Sequence, residues 1–337
     1  MLPDVMRVVR FELLKLRWWG TGWKLLALLL VGTQLSLCGH RISAVELAAR
    51  PLRVAAPTDG FSADGAIGAM ISCDTRADRS ASAQAVAAGT DPAADACARL
   101  RAARTSALQI EIASLYPQGA AIDAVRFAAL GGLLLAAILF SMMAGMEFGH
   151  GTIRPALSRG LNRVAFLFGK QLAGLAAVTF ALGTAVGLAI VTCGLYRVGV
   201  DTSALDVGRV PWATVGAGVL RALGGMFVFG CFAMAIAVAS RSVAIATSVS
   251  MLAFICELAL VATVRDAGAR VEFLVTHLPV CTIQRFVDAG GPSSHAICRS
   301  VPDALPAWIP LVAFGAVAQL SMICILVVRD VTSARGD

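Results

Sequence analysis

The sequence predicts an all-α integral membrane protein with six transmembrane helices. It adds an N-terminal interfacial helix, a short cytoplasmic helix and a large first extracellular loop. Three observations carry this: six apolar runs long enough to cross a bilayer, a composition of 58% apolar and 15% charged residues, and an uneven distribution of basic residues between alternate loops. A hydrocarbon core of about 30 Å needs roughly 20 apolar residues in a helix. Soluble helices usually keep a polar stripe, so six such runs exclude an ordinary soluble domain. Inside lipid the backbone must satisfy its own hydrogen bonds, which leaves helices as the spanning form.

In chain order the expected segments are an interfacial helix over 1–22 and a first span over 23–40. An extracellular segment follows over 41–126, then a second span over 127–146 and a cytoplasmic loop over 147–170. The remaining spans are placed at 171–196, 214–240 (its apolar core from 222), 242–264 and 304–328. An extracellular loop covers 265–303 and a cytoplasmic tail 329–337. With the N-terminus inside, the short inner segments hold twelve basic and five acidic residues, while the outer loops hold sixteen and fifteen. The whole net charge of +7 therefore sits on one side, which is the positive-inside asymmetry. Topology accounts for the basic residues without nucleic acid as a partner. Arginine outnumbers lysine 25 to 3, in keeping with a GC-rich bacterial source and a bacterial plasma membrane with both termini cytoplasmic.

Residues 2–20 read as a basic, imperfectly amphipathic helix on the inner leaflet. Arg7, Arg10, Lys15 and Arg17 share one arc, Phe11 and Leu14 intrude on it, and Trp18, Trp19 and Trp23 mark the interface. The chain turns into the membrane near Gly20 and Gly22. The first apolar run continues to Cys38 without an A-x-A-like site, so it reads as a span and not as a signal peptide. In the extracellular segment, 57–90 reads as irregular. Asp91-Pro92 starts a helix that runs to about Ser114, and Pro117-Gln118-Gly119 breaks it before the second span. In 147–170, Thr152 is placed to cap a short helix with Pro155 in its first turn and Gly160 after its end. In 265–303, the apolar-polar stretches 271–280 and 282–287, punctuated by Pro279, read as brief helices at the outer interface.

Nine cysteines are present. Cys73, Cys97, Cys281 and Cys298 fall in extracellular segments, where disulfides persist. Local bridges Cys73–Cys97 and Cys281–Cys298 are the first expectation, although four cysteines allow three pairings. No C-x-x-C or Cys/His cluster indicates zinc.

Within the spans, Glu257 is the one deeply placed acid. Such a group must face a helix interface or water. It reads as a cavity residue for a cationic substrate or a proton, as a partner of Arg221, or as a protonated acid bonded to a neighbour. Gln319 reads as a polar contact between helices. Clustered nucleophiles, bases or metal ligands are missing from the spans, and no H-E-x-x-H or G-x-S-x-G occurs, which disfavours a membrane-embedded enzyme. A sensor or immunity protein that binds a ligand through the extracellular segment is the alternative to transport.

The stretch "EFGHGTIRPALSRGLNRVAFLFGK" resembles the cytoplasmic signature of type-2 ATP-binding-cassette (ABC) transporter permeases. The resemblance rests on Glu147-Phe148, Gly151-Thr152-Ile153-Arg154, Leu157-Ser158-Arg159, Arg163 and Gly169-Lys170, after the second of six spans. "FELLKLRWW" (11–19) is similar to that family's N-terminal interfacial helix. The extracellular segment of some eighty residues after span one departs from the simplest members, which have a much shorter one. The resemblance implies a permease subunit that pairs with a second permease, identical or related, and binds two copies of a cytoplasmic ATPase. It makes Glu12, Lys15, Glu147, His150, Thr152, Arg154, Leu157 and Arg159 the candidate ATPase-coupling residues. Glu257, Arg221 and Gln319 are the candidate cavity residues read from the sequence itself. No G-x-x-x-x-G-K-[ST] occurs, so no cofactor is expected on this chain, and ATP and Mg belong to the partner ATPase.

Overall fold

The computed structural model describes residues 2–18, 20–49, 53–55, 70–72, 92–149, 162–200, 210–264, 277–288, 306 and 308–328. Among them the elements are α1 (Leu2–Trp18), α2 (Gly20–Ala49), β1 (Arg53–Ala55), β2 (Met70–Ser72), α3 (Pro92–Ala113) and α4 (Pro117–Gly149). These are followed by α5 (Arg163–Tyr196), α6 (Trp212–Ser240), α7 (Val243–Val264), α8 (Pro279–Asp288) and α9 (Trp308–Val328). Six of the helices, α2, α4, α5, α6, α7 and α9, are long and apolar enough to cross a membrane.

The helices outrun the apolar patterns that announced them. α2 continues to Ala49, nine residues past the expected end of span one. α4 starts at Pro117, ten residues before the expected start of span two. Proline has no N–H to lose at a first helical position, so Pro117 ends α3 and opens α4 within one short turn. α5 starts at Arg163, where the side chain of Asn162 accepts a 2.9 Å hydrogen bond from the Val164 N–H. Pro279, expected as punctuation, instead begins α8. The expected irregular stretch 57–90 contains β2, which pairs antiparallel with β1, Val54 opposite Ile71.

α4 and α6 form the centre: 67% and 61% of their apolar windows are buried, against 17–33% for the other four. α5, α7, α2 and α8 pack around α4, and α9 lies along α6. Close approach depends on glycine. Phe140 of α4 is fully buried between Gly174 of α5 and Gly230 of α6, where a β-carbon would come within 2.6 and 2.8 Å of its ring. At Gly145 a β-carbon would stand 2.8 Å from the Val243 backbone nitrogen, so α4 and α7 meet almost backbone to backbone.

α6 and α7 are joined by Arg241 and Ser242 alone. Arg241 takes the left-handed conformation (φ 55°), and the Ser242 N–H bonds the Ser240 hydroxyl at 3.3 Å. α1 and α2 are separated by one residue, and α1 lies against α5 at the same end of the bundle as Arg241. We call this the α1 end and the opposite one the α3 end.

Phe140→Ala is expected to cost about 3–5 kcal/mol, the range for emptying a buried aromatic site. Gly230→Leu is expected to be comparably disruptive, because the new side chain must displace that ring. Denaturant unfolding of the purified protein measures both, and a loss near zero for either would contradict this packing.

Candidate functional site

At the α1 end, two acids and two lysines from three helices converge. Val5, Val8 and Glu12 form one buried stripe of α1 and face α5. Gly169 admits them: a β-carbon there would stand 2.6 Å from that of Val8. The stripe delivers Glu12, 1% exposed, to Lys170 of α5, 2% exposed, with Oε1 2.8 Å from Nζ. Lys170 also reaches Glu147 Oε1 of α4 at 2.9 Å and donates to the Met143 carbonyl at 2.6 Å. Lys15, one turn after Glu12, closes the ring: its Nζ donates to Glu147 Oε1 at 2.7 Å and to Glu12 Oε1 at 3.3 Å. Each glutamate therefore accepts from both lysines, and the charges balance among the described residues.

Phe11 and Phe166 cover the two ammonium groups, with ring centroids 4.4 and 4.8 Å away. Burial works against the charge on Lys15, but the hydrogen bond to Glu147 and the charges of both glutamates outweigh it and raise its pKa. Lys15 thus stays charged through neutral pH. Its contribution is present below the ordinary lysine range and is lost only as pH rises through the raised value.

Of the eight sequence-predicted coupling residues, the structure brings Glu12, Lys15 and Glu147 together. It turns Lys15 inward, away from exposed Arg7 and Arg10, so the expected basic arc of α1 is narrower. Glu12 is not at the surface, because its stripe is the packing face. His150, Thr152, Arg154, Leu157 and Arg159, and the expected short helix they belong to, lie outside the described residues. Lys170 was legible only as part of the resemblance. The signal that could have singled it out is a lone lysine at the start of a long apolar run.

Glu257 is hydrogen-bonded to a neighbour, as one of its three readings had it. It is buried on α7, and its Oε1 accepts the Cys281 N–H at 2.7 Å, with the Val280 backbone also turned to it. Both belong to the first turn of α8, where N–H groups lack helical partners and the helix dipole is positive. The carboxylate therefore caps α8 from a neighbouring helix. Arg221, partly buried on α6, makes no ion pair with it among the described residues. α8 is set into the α3 end of the bundle against α6, α9, α4 and α7, with Ile283 fully buried. Gln319 of α9 accepts from Gln171 of α5 at 2.9 Å, a contact between helices as expected.

Cys97 and Cys281 are each disulfide-bonded, whereas Cys38, Cys193, Cys231, Cys256 and Cys324 are free thiols. Cys73 and Cys298 lie outside the described residues. A second cluster, at the α3 end, was not anticipated from the sequence: His40 lies between Glu111 and Asp123.

No protein-family model matches the chain, and no curated protein matches it.

Two expectations follow. Lys170→Met leaves two carboxylates buried with one lysine and should cost about 3–5 kcal/mol, as breaking a buried pair does. Adding Glu12→Gln should recover part of that loss, whereas simple additivity in unfolding experiments would contradict the cluster. Glu257→Ala uncaps α8 and should cost about 1–3 kcal/mol, with Glu257→Gln, which keeps an acceptor, losing less. Equal losses would mean that the carboxylate does not hold the helix end.

Proposed function

We propose that this chain is the membrane-spanning permease subunit of an ATP-driven ABC exporter in a bacterial plasma membrane, with the α1 end and both termini cytoplasmic. The observation that carries this is the position of the ion cluster. Glu147 and Lys170 flank 150–161, the heart of the signature-like loop, and Glu12 and Lys15 fasten α1 to both of them. A push on that loop reaches α4, α5 and α1 together. Rigid charge pairing is suited to passing such a displacement into the bundle.

The ATPase lies on a separate polypeptide, present as two copies that carry ATP and Mg, and a second permease subunit completes the pore. His150, Thr152, Arg154, Leu157 and Arg159 are the residues that meet the ATPase. Glu12, Lys15 and Glu147 position the loop from behind. The cargo class is an amphiphilic compound, lipid or peptide. Cys73–Cys97 and Cys281–Cys298 are the proposed pairings, supported by the bonded state of Cys97 and Cys281.

The test is a pull-down from native membranes. An ATPase subunit should co-purify with the intact chain and be lost when 150–161 is scrambled in a protein that still inserts. A cysteine at Ser158 should resist an impermeant thiol reagent in intact cells and react in inverted membranes. Ready labelling in intact cells would reverse the orientation and remove the mechanism.

A further inference from the structure

At the α3 end, the His40 imidazole of α2 bonds two carboxylates at once. Its Nδ1 is 2.6 Å from Glu111 Oε2 of α3, and its Nε2 is 3.0 Å from Asp123 Oδ1 of α4. An ionised carboxylate only accepts, and an imidazole carries N–H on both nitrogens only as the cation. The arrangement is therefore two charge-assisted bonds on opposite edges of one ring, the strong kind of hydrogen bond. All three side chains are mostly buried, at 13–17% exposed. Asp123 is held further by the Ser36 hydroxyl of α2 at 2.7 Å and lies near Arg126.

α3 packs along α2, and the Arg104 guanidinium of α3 donates to the Leu47 and Ala48 carbonyls at the last turn of α2. His40 extends that attachment to a second span. Asp123 and Glu147 lie 24 positions apart on one uninterrupted helix, about 36 Å at 1.5 Å per residue.

We infer that His40 is a two-sided clamp that makes α3 one body with the outer ends of α2 and α4. α3 therefore moves with the span whose other end joins the ion cluster. This rests on the permease reading for what drives the movement, but not for the clamp itself. The outer helix is then a moving part of the transport cycle and not a static cover.

Hydrogen exchange on the full-length protein in lipid nanodiscs tests both parts. With no ATPase or nucleotide added, His40→Ala and Glu111→Gln should each speed exchange over 92–113 by about tenfold or more, the loss expected for one charge-assisted bond. Exchange over 2–18 should not change. Exchange over 92–113 as slow in both variants as in the unaltered protein would overturn the clamp. Glu111→Gln keeps the shape of the side chain and stands in if His40→Ala fails to fold.

In the complex with the co-purified ATPase, Mg-ATP should alter exchange over 92–113 in the unaltered chain and not in His40→Ala. A response confined to 2–18 and 162–170 would overturn the coupled movement while leaving the permease reading intact. Failure of any ATPase to co-purify would remove the permease reading, and the nucleotide-free comparison would still decide the clamp.

Discussion

Lys170 is the group on which the α1 end of the molecule depends. Its ammonium is shut away from water and survives there because two carboxylates and a backbone carbonyl surround it. A buried charge is tolerated only when it is paired and its protons are all directed at acceptors. That requirement fixes three helices at once: α5 supplies the lysine, α4 one glutamate and α1 the other. α1 would otherwise be a free amphipathic segment. Held at Glu12, it packs Val5 and Val8 onto α5 beside Gly169 and leaves Met6, Leu13 and Leu14 exposed.

The interior of the bundle obeys a different constraint. Lipid offers no hydrophobic reward for bringing apolar helices together, so contact must come from fit. Phe140 shows how. One large ring on α4 fills the space left by two glycines on two other helices, and the three helices are fixed at that depth. Leu, Val and Ala then surround the contact in a single continuous core.

The membrane class was fully legible because long uncharged runs have only one stable home. The helix ends were less so: Ala49, Pro117 and Arg163 lie beyond the apolar windows, in parts of the helices carrying polar residues, where hydropathy says nothing about backbone conformation. The roles of single polar residues were legible in proportion to how local their partners are. Asn162 caps its own helix and could be read from its neighbourhood. Glu257 bonds a backbone 24 positions away, and His40 pairs with acids more than 70 positions away. Those encounters are set by how helices pack, and in spans that are apolar all round the sequence does not say which face looks inward. The residues of the signature-like loop were legible by resemblance, and only the two ends of that loop acquire a physical role here, through Glu147 and Lys170.

The two-residue turn at Arg241 ties one acid's fate to a helix that follows it in the chain. α6 and α7 are joined so tightly that they form a hairpin with Arg241 at its tip. Glu257 lies on α7, ahead in the chain of Pro279–Asp288, the helix whose first turn it binds. α8 thus completes an earlier span: without residues 279–288 the acid on α7 loses the N–H group that holds it.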